Sequence, residues 1–145
     1  MFKISLMDHS DLEEAYKIEL ETNPTPWSKD SFFSSLEVGH NSIVCKCNKS
    51  IIGFLIFSRI EKESHLLNIA VLKKWQNKGA GSILMDVFIK QSKALGAKKA
   101  FLEVRSKNRN AINFYTKFNF VKDALRTNYY SGVNPDDALL MSLKI

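Results

Sequence analysis

Cysteine is scarce in this chain: Cys45 and Cys47 are the only two among 145 residues. They lie two apart in the apolar run from Ile43 to Cys47, so on a strand they share a face and are badly placed to bond to each other. Free, buried thiols are expected, in a fold that needs no disulfide. A zinc site would need further ligands, and His9, His40 and His65 are scattered without ligand spacing, so no metal is expected. No apolar run reaches the eighteen or so residues a spanning helix requires, and Asp8 and Asp11 interrupt the start before a signal-peptide core could form. The reading is cytoplasmic, without a membrane partner. Glycine numbers six and proline three; with no Pro/Gly/Ser-rich linker, repeat or low-complexity stretch, a single domain over 1-145 is expected, burying roughly two-thirds of its unfolded surface. Acidic charge is also in deficit, with 21 Lys and Arg against 15 Asp and Glu. That balance suits an anionic ligand or nucleic-acid-rich surroundings and is equally that of an ordinary soluble surface.

What is present reads as alternating strands and helices. Phe2, Ile4 and Leu6 alternate as a strand, and Asp8 can cap a helix whose apolar positions are Leu12, Ala15, Tyr16, Ile18 and Glu19-Leu20. Asn23-Pro24-Thr25-Pro26 breaks that helix, and Ser28 can cap a second one carrying Phe32, Phe33 and Leu36. Strands follow at Ser42 to Cys47, Ile51 to Arg59 and His65 to Val71, the first two joined by a turn at Asn48-Lys49, as an antiparallel meander. The spacing predicts a long helix from about Gly79 to Leu95, ended by Gly96. Next come a strand (Ala100 to Val104), a helix (Asn110 to Lys117) and strands near Phe120 to Tyr130 and Ala138 to Leu143. A strand-helix-strand crossover therefore lies inside an otherwise antiparallel sheet.

The most informative stretch is Gln76-Asn77-Lys78-Gly79-Ala80-Gly81, which enters from the apolar run Leu66 to Leu72 and leads into Ser82-Ile83-Leu84. It reads as strand, glycine turn, helix. Glycines at 79 and 81 let a backbone approach a ligand, and the helix behind supplies unpaired N–H groups and a positive dipole end, a combination that holds phosphate. It is too short for a Walker A loop and lacks the G-x-G-x-x-G spacing. The alternative is a helix that merely starts after a flexible turn.

Glu103 stands between apolar neighbours in Phe101-Leu102-Glu103-Val104. Partial desolvation there would raise its pKa and make it a usable general base; the alternative is an edge-strand glutamate paired with Arg105 or a lysine. Tyr115 shares a helix with Ala111, Ile112, Phe114 and Phe118 and could be core. Asn108 and Asn110 stand where short polar side chains cap helices.

Taken together, Leu67-Asn68-Ile69-Ala70-Val71, the Q-x-x-G-x-G turn, Leu102-Glu103-Val104-Arg105, and Asn108 through Ala111-Ile112-x-x-Tyr115 to Phe118-x-Phe120 form a series that resembles the GNAT superfamily of acetyl-CoA-dependent N-acetyltransferases. Pro26-Trp27-Ser28, Asn128-Tyr129-Tyr130 and Asp137-Ala138 resemble its RimI-type branch, which acetylates the N-terminal alanine of a small-subunit ribosomal protein. The resemblance implies an α/β (α+β) fold: a mixed, mostly antiparallel sheet of about seven strands flanked by about four helices, with one parallel crossover.

It also implies a site. The main chain of Ile69, Ala70 and Val71 would pair with the pantetheine arm of acetyl-CoA, and Asn77, Lys78, Gly79, Ala80, Gly81 and Ser82 would hold the pyrophosphate, with Asn108 touching the cofactor from elsewhere. The family often has arginine in that turn; Asn77 and Lys78 stand here, and lysine lacks arginine's bidentate fork. Glu103 would be the base, Tyr115 the acid, and the Val71 N–H an oxyanion donor, in direct transfer without an acyl-enzyme. Trp27 and the loop from Asn23 would form one wall of the acceptor groove. Tyr129 and Tyr130, on the loop before the final strand, would either line that groove or pack a sheet edge. The implied partner is a protein N-terminus, ribosomal in this branch and itself basic, for which Asp136 and Asp137 are the one evident acidic patch. A monomer with no need for direct nucleic-acid binding is expected. A small amine, a polyamine or a lysine side chain is the alternative acceptor, and a non-catalytic RNA- or ribosome-associated module the alternative class; the latter lacks the interleaved aromatic and basic stripe it would need.

Overall fold

The computed structural model describes residues 1–145 and contains seven strands and four α-helices: β1 (Phe2–Leu6), α1 (Leu12–Thr22), α2 (Lys29–Glu37), β2 (Asn41–Cys47), β3 (Ser50–Ile60), β4 (Glu63–Val71), α3 (Ala80–Ala94), β5 (Lys99–Arg105), α4 (Arg109–Lys117), β6 (Val121–Tyr130) and β7 (Asp136–Lys144). One sheet runs in the order β1-β2-β3-β4-β5-β7-β6. Its parallel pair is β4 with β5, joined through α3 as the expected crossover. The chain divides into two compact units, Met1–Ser58 with Leu67–Gln91, and Arg59–Leu66 with Ser92–Ile145.

In the first unit, Asp8 caps a 3-10 turn (His9–Asp11) through Ser10 N–H, and Asp11 reaches back to the Asp8 N–H, a reciprocal capping box that launches α1. Leu12, Ala15 and Ile18 are buried along α1. The helical stripe continues through Glu19, which is fully buried, and leaves Leu20 55 % exposed. Leu20 therefore falls outside the apolar face expected of it. Ser28 caps α2 through Ser31 N–H, and Phe32 at its centre meets Phe54 edge-on, with ring centres 5.2 Å apart. On the other side of β3, Phe57 meets Phe88 of α3 in the same manner at 5.2 Å. Aromatic pairs of this geometry add to what area burial alone supplies.

Cys45 is buried and Cys47 half-buried, both as free thiols. Burial, and secondarily Cys47, pushes the Cys45 thiol above its ordinary value. Between them and β3 the register slips: Cys45 faces Gly53 whereas Lys46 faces Ile51, leaving Ile52 as the extra residue of a bulge. Gly53 is required here by space. A Cβ would lie 2.9 Å from the Ala70 carbonyl oxygen and 3.2 Å from Leu84 Cδ1.

In the second unit, β4 pairs with β5 over three positions only, Glu63↔Lys99, Ser64↔Ala100 and His65↔Phe101, while β5 goes on to pair with β7 along its whole length. β5 is thus an interior strand. β6 is the exposed edge and its ladder with β7 is interrupted twice, between Lys122 and Ala124 and between Arg126 and Tyr130, with Asn128 at φ +54° inside the second break.

The Gly53 contact has a measurable consequence. Because the nearest obstacle is backbone, Gly53→Ala should cost about 1–3 kcal/mol in urea unfolding, with an unchanged slope. A variant of wild-type stability would show that β3 and β4 can part there without loss.

Candidate active site

Each unit carries its own share of the expected residues. In the first, β4 continues past His65 to Val71 without a β5 partner, so Ile69, Ala70 and Val71, all half-buried, carry main-chain groups outside that ladder. The end of this segment is clamped. Gln76 Nε2 donates to the Val71 carbonyl at 2.9 Å, and Leu72 N–H donates to the Ile52 carbonyl at 2.8 Å. Gln76 was legible in the sequence as the first letter of the turn motif, yet its role as a side-chain clamp on β4 was not.

The turn after β4 then reverses through two left-handed residues, Asn77 at φ +62° and Gly79 at φ +97°. Nothing lies within 4 Å of where a Gly79 side chain would start, so it is conformation and not crowding that favours glycine there. Asn77, Lys78 and Ser82 are exposed. The fifteen-residue α3 begins at Ala80, so the N–H groups of its first turn and its positive dipole end open at this turn. The Lys78 ammonium lies 5.4 Å from the centre of the Trp75 ring. An exposed helix N-terminus preceded by a left-handed turn, beside a β4 edge without a β5 partner, fits an extended ligand with a pyrophosphate such as acetyl-CoA. Trp27 is half-buried and packs into the apolar core, its ring 6.3 Å from that of Phe32, and its carbonyl accepts from Tyr16 Oη at 2.8 Å.

In the second unit, Glu103 differs from expectation. It is exposed, because alternation along β5 turns its neighbours Leu102 and Val104, both buried, to the opposite face. Flanking apolar residues therefore do not desolvate it, and since β5 is interior it is no edge-strand glutamate. Its carboxylate instead lies beside the Tyr129 phenol and is the first cause of a raised Tyr129 pKa. Burial, and then Glu103, raises Tyr130 as well. Both tyrosines are the last residues of β6 and not a loop. Their rings meet edge-on at 5.1 Å, with the Arg105 guanidinium 4.4 Å over Tyr130 and that of Arg126 5.1 Å over Tyr129. The tyrosine pair and Glu103 thus form one cluster carrying a carboxylate, two phenols and two cations.

Tyr115 is buried on α4 against Phe114 and Phe120, at ring distances of 5.6 and 6.0 Å. Burial first, and Tyr130 second, pushes its phenol far above the ordinary tyrosine value, so it holds its proton across the physiological range. Asn108 caps α4, its side chain accepting from Ala111 N–H at 3.2 Å, which leaves the amide nitrogen as the group it can offer a ligand. A cavity of about 340 Å³ lined by Ser106, Arg109, Ile112, Asn113, Lys122 and Leu139 contains none of the expected residues.

The acidic patch expected at Asp136 and Asp137 does not form. Asp136 is buried, and its carboxylate accepts from Ser106 Oγ at 2.8 Å, Lys107 N–H at 3.1 Å and Asp137 N–H at 2.7 Å. Asp137 is half-buried and accepts from Asn128 N–H at 2.8 Å. Both hold backbone and are not presented as a docking surface for a basic tail. No helix is long and apolar enough to cross a membrane, and no group of three or more His, Cys, Asp or Glu side chains is placed to hold a metal ion.

With the fold and these residues in place, comparison with known proteins is direct. Residues 11–120 match the Acetyltransferase (GNAT) family. The chain belongs to the GNAT family of acetyltransferases, whose acetyl donor is acetyl-CoA. It is 31 % identical over 146 aligned positions to the [ribosomal protein bS18]-alanine N-acetyltransferase of Salmonella typhimurium, covering 100 % of this chain and 99 % of that protein. The crystal structure of the ribosomal-protein-S18-alanine N-acetyltransferase from Escherichia coli superposes with a TM-score of 0.93 at 32 % identity, over 100 % of this chain and 94 % of the other. Ard1 from Thermoplasma volcanium gives a TM-score of 0.91 at 27 % identity, over 99 % and 97 %.

The Asp136 cluster predicts a pH effect. Burial alone would raise its pKa, but the hydrogen bonds from Ser106, Lys107 and Asp137 outweigh it and hold the group below 3.8. A depressed folded-state pKa gives stability that is complete above the unfolded value and lost as pH falls through the folded one. Asp136→Asn should therefore lower Tm at neutral pH, and the gap to wild type should narrow in acid. A gap that stays constant down to about pH 3 would mean that the ionised form adds nothing.

Proposed function

We propose that the chain transfers an acetyl group from acetyl-CoA to the N-terminal α-amine of a protein, and that the acceptor is the N-terminal alanine of a small-subunit ribosomal protein. The observation that carries the acceptor is the full-length likeness to bS18-alanine N-acetyltransferases. Elementary acid–base chemistry favours the same choice. An α-amine has a pKa of about 7.7–8.0 against about 10.4 for lysine, so freeing the lysine amine at neutral pH costs roughly 3.4 kcal/mol more. A single exposed carboxylate manages the easier task.

When bound, acetyl-CoA supplies an acetyl group activated as a thioester. Ile69, Ala70 and Val71 would hold its pantetheine arm and Asn77 to Ser82 its pyrophosphate, Asn108 would make an additional contact, and the Val71 N–H would be the donor to the carbonyl oxygen. Glu103 takes the proton of the incoming ammonium, directly or through water; Tyr129 and Tyr130 are assigned to the acceptor, as is Trp27 in the other unit.

Tyr115 would serve the departing sulfur. An ordinary tyrosine lies about 1.5 units above a thiol near 8.5, roughly 2 kcal/mol against complete transfer, and burial widens that difference. Its role is consequently to donate a hydrogen bond as charge builds on sulfur, the proton passing late.

Two variants and one assay test these roles. Glu103→Gln should lower the rate at saturating acetyl-CoA by about 10²–10⁴-fold, and an unchanged rate between about pH 7 and 9 would remove it as the base. Tyr115→Phe should lower kcat by about 10²-fold with acetyl-CoA affinity nearly constant, whereas a pure affinity loss would return it to packing. Intact-mass analysis with a free-alanine peptide, an N-terminally blocked lysine peptide and a polyamine should show one acetyl group on the first alone. Acetylation of the other two would replace the acceptor assignment.

A further inference from the structure

We infer that Glu19 is a positioning residue that locks the acceptor-side loop, Asn23 to Trp27, onto the cofactor strand β4. The inference rests on the reading of that loop as an acceptor wall.

Glu19 is fully buried on α1, in line with Leu12, Ala15 and Ile18, where an apolar side chain would serve packing better. A buried carboxylate is costly unless its charge is met, and no Lys, Arg or His pairs with it. Three N–H donors meet it instead, and they arrive from two places. Asn23 Nδ2 at 3.0 Å and Trp27 N–H at 2.9 Å both donate to Oε2, while Asn68 Nδ2 donates to Oε1 at 3.0 Å. Pro24 and Pro26 have no N–H to give, so Trp27 is the residue at which the end of the loop is secured. The loop's own bonds complete the lock: Thr25 N–H donates to Asn23 Oδ1 at 3.0 Å, Asn23 N–H to the Glu19 carbonyl at 3.0 Å, and Tyr16 Oη to the Trp27 carbonyl at 2.8 Å.

Asn68 immediately precedes Ile69, Ala70 and Val71. One carboxylate thus fixes the distance between the loop and the strand segment assigned to the cofactor. Only an acceptor-only group satisfies three converging donors; an amide would turn one of its own N–H groups towards a donor.

That chemistry can be inverted. Asn68→Asp sets two carboxylates against each other, and adding Glu19→Gln restores a donor–acceptor pair, with the new side-chain amide donating to position 68 while its oxygen keeps both loop donors. The single variant, confirmed folded by circular dichroism, should raise the acceptor-peptide KM by about tenfold or more while the acetyl-CoA dissociation constant changes far less. It should also speed hydrogen exchange at the Trp27 amide, and the double variant should reverse both effects. Unchanged exchange at Trp27, no recovery in the double variant, or faster exchange with an unmoved acceptor KM would each overturn the inference. Exchange needs no acceptor, so it separates the two claims. If wild type acetylated a polyamine and no N-terminal peptide, the acceptor assignment would fall while the lock was still read from exchange and from the polyamine KM.

Discussion

Much of the structure follows from a parallel ladder that is only three residue pairs long, Glu63 to His65 against Lys99 to Phe101. Parallel neighbours cannot be joined by a tight turn, so the chain must travel through a helix before β5 can begin. That requirement produces α3, and α3 needs a sharp reversal at Asn77 to Gly79 to start where it does. Since the ladder ends at His65, the remaining six residues of β4 carry peptide groups that β5 does not use. The shortness of one pairing therefore yields both a strand segment without a β5 partner and the helix N-terminus that follows it.

Around this frame, the precise placement of loops is handed to buried carboxylates. Glu19 gathers donors from a proline-containing loop and from β4. Asp136 does the equivalent in the other unit, gathering Ser106 and Lys107 just ahead of the Asn108 cap that starts α4. In both cases a group that can only accept draws several N–H or O–H donors to one point, and the backbone around it loses freedom it would otherwise retain.

The element order was legible because its signals are local: Asp8 and Ser28 as caps, Pro24 as a break, and the 3.6-residue repeat of α3. What lay beyond sequence was the direction of individual side chains relative to other strands. Glu103 looked desolvated because its chain neighbours are apolar, but those neighbours occupy the reverse face of β5. Tyr129 and Tyr130 read in the sequence both as the end of a strand and as loop residues before the last one; they close β6, beyond a break in its ladder. Glu19 passed as a place-holder on an apolar stripe, since nothing nearby in the chain announces that Asn68, 49 positions later, would reach it. Asp136 and Asp137 looked like surface charge because sequence does not reveal which backbone amides will surround them.

The interruptions in β6 carry a further consequence. A ten-residue strand at the end of a sheet, exposed over nearly its whole length, offers a row of unused peptide groups on which another chain could align. Here the row is broken at Lys122 to Ala124 and again around Asn128, and charged side chains stand at Lys122, Asp123 and Arg126. No uninterrupted stretch is long and regular enough to template cross-β growth. The breaks near Tyr129 thereby also make this edge a poor template for a second strand.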